Sequence, residues 1–330
     1  FNSPSYLDIN TKTKMQLYVT DFYNDRIREI DLQTLRVKTI AGNGFAAYTG
    51  DNGPAIRASL FRPYSIVYCE VISSILFADS FNHVIRRISL ETGDIITVLG
   101  DKSGKQGYTR DEDSMPATQK LKMRMPLIAI DKVTGRMFLN DFGNYIVREV
   151  VNHNYFTSKV DTSYVKTIAG KLLVSKSIQD EDATEVNFGD IGSVATDNLR
   201  NELIVTLPQK NYIGSINRAF NHISVLACSG IRGYNGDGGL ATDSQCAGPT
   251  DIEIDQQDPS ILYFVERDNH VVRMVNRTSG IVTTIAGKGV RGYGGDNGDA
   301  RNAIFRYPNA IVLYGGTLLI ADTKNHVIRA

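Results

Sequence analysis

The sequence of 330 residues contains no tryptophan, only three cysteines and no net charge. Three cysteines are too few for a scaffold built on disulfides. The balance of 36 basic and 36 acidic residues argues against a nucleic-acid partner, which would require a basic excess. No apolar run approaches the roughly 18 residues that span a bilayer, so we do not expect a membrane-spanning protein. With 42% hydrophobic residues, the chain has enough apolar content for a packed core.

The most informative feature that is present is internal repetition. An acidic residue, an asparagine and an arginine recur with fixed spacing, and the asparagines lie at positions 24, 82, 144, 211, 269 and 325. Six units of similar length therefore fill the sequence. In the fourth unit Leu207 stands where the others have the acid. The acid and the arginine are seven positions apart in the other five: Asp21 and Arg28, Asp79 and Arg86, Asp141 and Arg148, Glu266 and Arg273, Asp322 and Arg329.

Each unit also contains four short apolar runs separated by glycine, asparagine and proline, which is typical of strands and turns. In the second unit the runs cover 64–68, 75–78, 84–89 and 94–99. Four antiparallel strands repeated radially make a β-propeller. We predict an all-β, six-bladed propeller forming a single domain over 1–330. The predicted blades are approximately 1–42, 60–100, 123–170, 190–228, 248–287 and 306–330.

The combination of an Asp-x-x-Asn-[His/Asp]-x-[Ile/Val]-Arg motif, a Thr-Ile-Ala-Gly strand and a Gly-Asp-x-Gly-Pro-Ala loop resembles the NHL-repeat family. The motifs stand, for example, at 79–86, 39–42 and 50–55. The resemblance covers essentially the whole sequence and implies a six-bladed propeller. It implies a binding platform in most cases, although a minority of the family are enzymes, notably an amidating lyase whose propeller carries a metal.

The sixth unit has three predicted strands, at 309–313, 318–321 and 326–329, and lacks the outer strand of the other units. Three explanations are open. The native chain continues beyond Ala330, the last blade has only three strands, or another chain donates the fourth strand. The third would make the protein a subunit that self-assembles through the edge of the sixth blade.

The repeated acid and arginine are expected to lock each hairpin by a charge-assisted hydrogen bond, with the asparagine in a left-handed turn position. The alternative is a functional ring of charge. His83, His270 and His326 occupy one slot of three repeats and are expected to lie too far apart to share a metal ion, so we predict no metal site. The acidic clusters at 111–113, 180–182 and 296–299 leave calcium open as a cofactor, against solvated crossovers between blades.

The loops that connect successive blades repeat an aromatic and acidic pattern suited to protein or glycan recognition. We expect them to lie on the same face as the turns between the second and third strands. The alternative is that the tyrosines pack under their own loops. The partner-binding candidates are Tyr48, Asp51, Tyr108, Tyr234, Asp237, Tyr293 and Asp296.

Cys228 and Cys246 are separated by one loop, and a disulfide between them would staple a long crossover; whether they are bonded is left open. Cys69 is expected to be a buried thiol. Asn276 begins an Asn-Arg-Thr glycosylation triplet. Together these features favour a secreted or cell-surface protein over a cytoplasmic one.

No catalytic constellation is recognisable, since the sequence lacks a Gly-x-Ser-x-Gly elbow, a His-Glu-x-x-His motif and a phosphate loop. We therefore expect a non-enzymatic binding or scaffolding propeller, without a cofactor, within a larger secreted or surface protein. One alternative is a structural subunit of an extracellular assembly. The other is a lyase or hydrolase with a metal in a central channel, for which the inner strands offer the poor ligands Ser65, Ile66, Ala129, Ser193 and Ile252.

Overall fold

The computed structural model describes residues 1–10, 12–13, 15–111, 116–132, 134–151, 163–171 and 181–330. By internal contacts the chain divides into two compact units, Phe1–Ile168 and Ala169–Ala330. Each unit contains three antiparallel sheets. In the described part of the chain the only α-helix is the four-residue α1, Ala117–Lys120.

The first unit holds blades 1 to 3, in which consecutive strands pair from the inside outwards. Blade 1 consists of β1 (Pro4–Ile9), β2 (Gln16–Asp21), β3 (Arg26–Asp31) and β4 (Val37–Ala41). Blade 2 consists of β6 (Pro63–Cys69), β7 (Ser74–Asp79), β8 (Val84–Ser89) and β9 (Asp94–Leu99), with the short β5 (Gly53–Pro54) added outside β9. Blade 3 consists of β10 (Pro126–Ile130), β11 (Met137–Asp141), β12 (Ile146–Val151) and β13 (Tyr164–Ala169).

The second unit holds blades 4 to 6. Blade 4 consists of β15 (Val194–Asp197), β16 (Glu202–Leu207), β17 (Tyr212–Asn217) and β18 (His222–Ala227), with the short β14 (Glu181–Asp182) outside β18. Blade 5 consists of β19 (Pro249–Ile254), β20 (Ile261–Glu266), β21 (Val271–Asn276) and β22 (Ile281–Ala286). Blade 6 consists of β23 (Ala310–Tyr314), β24 (Thr317–Asp322) and β25 (Val327–Arg329).

The predicted fold class is confirmed: the chain is an all-β, six-bladed propeller with four antiparallel strands per blade and three in the last. The predicted strands of blade 2 agree with the observed ones to within one residue at each end. The short strands β5 and β14 were not predicted, because two residues carry no periodic signal. The single domain over 1–330, and the role of the sixth-blade edge in assembly, stay predictions.

Burial decreases from the inner to the outer strands of a blade. All six residues of β7 are buried, whereas the outer strand β4 begins with exposed residues. Apolar side chains of neighbouring blades form shared clusters, such as the one that joins Leu76, Leu99 and Met123 to Leu139. The outer strands therefore tolerate polar residues, which also protect a sheet edge against unwanted pairing.

The prediction that the repeated asparagine takes the left-handed position is wrong for five of the six hairpins. The left-handed residue is instead the one after the asparagine: Asp25, His83, Tyr145, His270 and His326. In four of these hairpins, all but that of blade 5, it follows a short 3-10 turn. Only Asn211 of blade 4, with φ 53°, takes that conformation itself. The reason is that the other asparagines use their side-chain amide to bind the hairpin acid, as Asn82 does to Asp79 at 2.8 Å.

Candidate recognition surface

The hairpin arginine of blade 2 holds together three parts of the chain. Arg86 is fully buried, and its Nη1 donates to the carboxylate of Asp79 at 3.3 Å. Its Nη2 donates to the Asp51 carboxylate at 2.7 Å and to the Thr49 carbonyl at 2.9 Å, both in the loop that enters the blade. The Tyr48 ring lies 5.3 Å from the guanidinium carbon. One side chain thus anchors both the hairpin and the preceding loop.

The same arrangement recurs, and we call each instance an arginine clamp: a hairpin arginine with its hairpin acid and with the tyrosine and aspartate of the preceding loop. In the clamp of blade 5, Arg273 binds Glu266 at 2.9 Å and Asp237 at 2.6 Å. In that of blade 6, Arg329 binds Asp322 at 3.5 Å and Asp296 at 2.6 Å. The clamp tyrosines lie 5.0 to 5.7 Å from their guanidinium carbons: Tyr48, Tyr108, Tyr234 and Tyr293.

The clamp of blade 3 differs in its loop acid. Arg148 lies 3.7 Å from Asp141 and donates to the Thr109 carbonyl at 2.9 Å. Asp111 instead accepts from the backbone N–H of Thr167 at 2.7 Å and from its hydroxyl at 2.9 Å. Asp111 was absent from the predicted binding residues, although the Tyr-x-x-Asp spacing, repeated four times in the sequence, could have identified it.

The asparagine of the hairpin completes each clamp by joining the turn to the same loop. Asn82 donates to the carbonyl of Ala47 at 2.9 Å, and Asn269 donates to that of Gly233 at 2.7 Å. Turns and loops therefore form one continuous surface within a unit. On that surface the tyrosines of the clamps remain partly accessible, with Tyr108, Tyr234 and Tyr293 exposed by 45%, 44% and 58%.

The structure shows how these residues pack, and their role in partner binding stays a prediction. The loop carboxylates Asp51, Asp237 and Asp296 are bound to arginines. The tyrosines cover the guanidinium groups with one part of the ring and are accessible elsewhere, except that Tyr48 is half-buried and its hydroxyl lies 2.7 Å from that of Thr97. The result is a set of aromatic side chains held in fixed positions.

Burial perturbs the acids of the clamps. It raises the pKa of Asp79 to about 6, against the lowering effect of Arg86. It likewise raises the pKa of Asp141, Glu266 and Asp322, again opposed by neighbouring arginines and hydrogen bonds. At the exposed loop end the direction reverses, since the hydroxyl of Tyr293 and Arg329 lower the pKa of Asp296.

A second repeated contact joins four of the hairpin turns to the strand that opens the next blade. The left-handed turn residue accepts a hydrogen bond from the backbone N–H of the residue before a proline. The donors and acceptors are Arg62 to Asp25, Met125 to His83, Gly248 to Asn211 and Tyr307 to His270, at 2.8 to 3.2 Å. In these four turns the side chain at the left-handed position serves as a hydrogen-bond acceptor.

Because His83 and His270 act as acceptors in this contact, we expect the contact to depend on pH. Each uses Nδ1 as the acceptor, which requires a neutral ring. Burial and Arg124 lower the pKa of His83; burial, with a smaller effect of Arg291, lowers that of His270, although Asp268 acts in the opposite direction. Because the pKa of each histidine is lower in the folded than in the unfolded chain, its contribution to the free energy of unfolding is fully present above the unfolded pKa of about 6.5. This stability is lost as the pH falls below that value and through the folded pKa.

We therefore expect His83→Asn to reduce the pH dependence of stability. Asparagine accepts the same hydrogen bond at the same turn position, as Asn211 does in blade 4. The advantage of the native chain over the variant in free energy of unfolding should decrease between about pH 7.5 and pH 5. Urea unfolding across this range measures it, and the buried acids cancel because both proteins carry them. Parallel curves for the two proteins would show that His83 contributes nothing to the pH dependence.

Two inner-strand acids were missed by sequence reasoning. Asp8 is buried, accepts the backbone N–H of Tyr68 at 2.7 Å and pairs with Lys132 at 2.6 Å. Asp251 accepts the N–H of Ile311 at 2.9 Å. Both join the inner strand of one blade to that of the next, as the Ser65 hydroxyl does by accepting the N–H of Ile128. Their carboxylates are thus engaged in holding blades together.

Side chains that could bind a metal or carry a modification lie partly outside the described residues. Within the described ranges no cluster of three or more His, Cys, Asp or Glu side chains could hold a metal ion. Glu112, Asp113 and Asp180, which belong to two of the proposed calcium clusters, lie outside the described residues. Asn276 is partly exposed, and its side-chain oxygen accepts from Thr278 N at 2.9 Å. Calcium binding and glycosylation stay predictions.

The structure contains a disulfide between Cys228 and Cys246, whose Cα atoms are 5.5 Å apart. Both cysteines are fully buried. The bridge closes the loop that carries Tyr234 and Asp237 of the blade 5 clamp. The remaining cysteine, Cys69, is free and buried, and burial raises the pKa of its thiol.

The sequence is similar to one known protein over about a third of its length. No family model matches the chain. Over 123 residues, or 37% of this chain, it is 32% identical to the protein SUPPRESSOR OF QUENCHING 1, chloroplastic, of Arabidopsis thaliana, and it spans 11% of that protein. No helix in the described part of the chain is long and apolar enough to cross a membrane.

Solved structures resemble the chain over its full length at low identity. An auxiliary nutrient binding protein from Bacteroides thetaiotaomicron matches with a TM-score of 0.67 and 16% identity, covering 99% of this chain and 68% of that one. A virginiamycin B lyase from Staphylococcus aureus matches with a TM-score of 0.51 and 15% identity, covering 99% and 83%. At such identity these similarities establish the six-bladed propeller fold and leave activity undetermined.

Proposed function

We propose that this protein is a non-enzymatic binding propeller of the NHL-repeat type, whose loops recognise a protein or a glycan. The observation that carries the proposal is the arginine clamp. It fixes an accessible tyrosine on each of several loops by means of a buried guanidinium. Rigid aromatic side chains contribute binding surface at a low entropic cost, and they are enriched among residues that dominate binding energies.

The extracellular part of the proposal rests on the disulfide and on the Asn276 triplet. A disulfide persists in oxidising compartments, and the triplet lies at a turn between two strands at the surface of the second unit. The full protein is proposed to be a larger secreted or surface protein in which this propeller is a recognition module.

The proposed surface is tested by removing the clamp tyrosines of the second unit. We expect Tyr234→Ala with Tyr293→Ala to weaken binding to the natural partner by about 2 kcal/mol or more, because aromatic anchors at interface centres contribute at this scale. The partner is first identified by quantitative capture from the extracellular fraction, and its affinity is then measured by calorimetry with purified material.

Phe220→Ala provides the control for that experiment. Phe220 is 75% exposed in the same unit but lies in the turn between the third and fourth strands of blade 4. Its loss should leave the affinity unchanged. If the control weakens binding as much as the tyrosine variant, the recognition surface lies elsewhere and the proposal fails.

A further inference from the structure

A surface cavity of about 520 Å³ lies in the first unit, where the hairpin turn of blade 2 meets the loop that enters blade 3. Its volume falls in the range of small-ligand sites, but it is largely open to solvent, so a ligand would stay partly exposed. Its lining consists of Phe81, His83, Gly104, Lys105, Gln106, Arg124 and Met125. The clamp tyrosines and the clamp arginines are not part of that lining, so the cavity is a separate feature of the surface.

The polar side chains of the lining all offer hydrogen-bond donors or positive charge. Lys105 and Arg124 are cations, and Gln106 adds a side-chain amide. His83 accepts the N–H of Met125 with Nδ1 at 3.2 Å, so its neutral ring carries the proton on Nε2. Among the described residues no carboxylate belongs to the lining, although Asp101 lies near Lys105: a backbone hydrogen bond and, to a smaller extent, Lys105 lower the pKa of that carboxyl. Such a lining selects a ligand with negative charge.

An apolar surface accompanies this charge. The Phe81 ring is 41% exposed at the cavity and packs against Phe61 with ring centroids 5.2 Å apart. Met125 adds an apolar side chain. The ligand that fits has an acidic group at one side and a flat apolar face at the other.

The junction between blades 5 and 6 is equivalent to the one that holds the cavity, between blades 2 and 3. Comparison of the two explains why the cavity is not filled by a side chain. Tyr307 occupies the position of Met125, with the same φ of 49° and the same hydrogen bond to a hairpin histidine. The Tyr307 ring lies edge-on to His270 with centroids 4.8 Å apart, and Arg291 lies 5.4 Å from its centroid. In blade 3 methionine replaces this tyrosine. The space of one ring, beside a histidine, is thereby available to a ligand.

We propose that this cavity binds an acidic saccharide. Its pyranose ring lies against Phe81 and Met125, and its carboxylate binds Arg124 and Lys105 through charge-assisted hydrogen bonds. The sugar hydroxyls accept from Gln106 and from Nε2–H of His83. An extended peptide would instead be held by main-chain pairing with a sheet edge, and the lining provides none. The site is independent of the clamp surface and goes beyond the proposed function.

Calorimetric titration with tri-galacturonate tests the proposal, with maltotriose as the neutral saccharide. We expect saturable binding of tri-galacturonate and at least about tenfold weaker binding of maltotriose. Lys105→Gln with Arg124→Gln should weaken tri-galacturonate binding at least about tenfold. Arg57→Gln, which removes an exposed cation of the same unit away from the cavity, should leave it unchanged.

Met125→Tyr provides a second variant that fills the cavity rather than removing charge. Tyr307 shows that a tyrosine can occupy this backbone position, so the variant should fold and should lose tri-galacturonate binding. Its unfolding midpoint in urea checks the fold.

Four outcomes with these saccharides and variants would overturn the proposal. These are no binding of tri-galacturonate, equal binding of maltotriose, equal loss in Arg57→Gln, or unchanged binding in both cavity variants. Binding of a Glu-rich peptide in place of the saccharide would assign the cavity to a peptide and also overturn it. The tyrosine variant of the second unit should bind tri-galacturonate normally, which separates a failure here from a failure of the proposed function.

Discussion

Replacement of Arg86 by methionine is expected to lower the free energy of unfolding by about 3–5 kcal/mol. Arg86 and Asp79 are both fully buried. Removal of the arginine leaves a buried carboxylate without its cation and releases the loop that Asp51 anchors. Methionine fills part of the space with an unbranched apolar chain, so the loss measures mainly the electrostatic and hydrogen-bonding role of the guanidinium.

The matched control is Arg28→Met in blade 1 of the same unit. Arg28 occupies the same repeat position, but its side chain is 28% exposed and lies 3.7 Å from Asp21. An ion pair that is partly open to water contributes about 1 kcal/mol or less. Urea unfolding should therefore show a loss of unfolding free energy that is several-fold larger for Arg86→Met than for Arg28→Met. Equal losses in Arg86→Met and Arg28→Met would mean that burial does not distinguish the clamps from an ordinary hairpin pair.

The Arg86 variant should also respond to pH in a defined direction. Burial raises the pKa of Asp79 to about 6 while Arg86 opposes it. Without the arginine the folded-state pKa rises further, so the folded chain binds a proton that the unfolded chain, with a pKa of about 3.9, does not. The difference in free energy of unfolding between the native chain and the less stable variant should therefore become smaller as the pH falls from neutrality.

The second large effect is expected at the disulfide. Cys228→Ala with Cys246→Ala should cost about 3 kcal/mol, since the bridge closes a loop of sequence separation 18 and restricts the unfolded chain. The two half-cystines are fully buried with Ile213, Leu262 and Val282 in one apolar cluster. Chemical unfolding under non-reducing conditions measures the loss.

Cys69→Ala is the control for the change of side chain alone. Cys69 is buried in the first unit and carries no bridge, so its variant reports the cost of the lost sulfur, which we expect to be about 1 kcal/mol. Adding a reductant to the native protein should destabilise it by nearly as much as the double alanine variant does. If the double variant and Cys69→Ala lose the same free energy, the bridge adds nothing beyond packing.

The arginine clamps and the disulfide both restrain the loops of this surface. The Arg273 clamp and the disulfide hold one loop from two sides: Arg273 binds Asp237 at 2.6 Å, and Cys246 follows Gln245, whose carbonyl accepts from Arg273 at 3.1 Å. Loosening either should reduce affinity for a partner that contacts Tyr234, because the loop must then be ordered on binding.

Repetition in the sequence determined the fold. The spacing of the Asp-Asn-Arg motif set the number of blades, and the alternation of short apolar runs with turn residues set four strands per blade. Each signal is local and recurs, so the errors of single units average out. Local spacing also indicated the pairing of acid and arginine at positions seven apart, because a hairpin makes such residues diagonal neighbours on one face of adjacent strands.

The roles of the loops were decided only by the tertiary structure. Asp51 and Arg86 are 35 positions apart, and no local pattern states that a loop will fold back onto the next hairpin. The residue after the asparagine takes the left-handed conformation, because the asparagine amide binds the hairpin acid and a distant carbonyl, as Asn82 does to Asp79 and Ala47. The cavity beside His83 exists because Met125 stands where the second unit has Tyr307. The effect of that exchange depends on contacts between neighbouring blades. A cavity is a property of packing and has no sequence periodicity of its own.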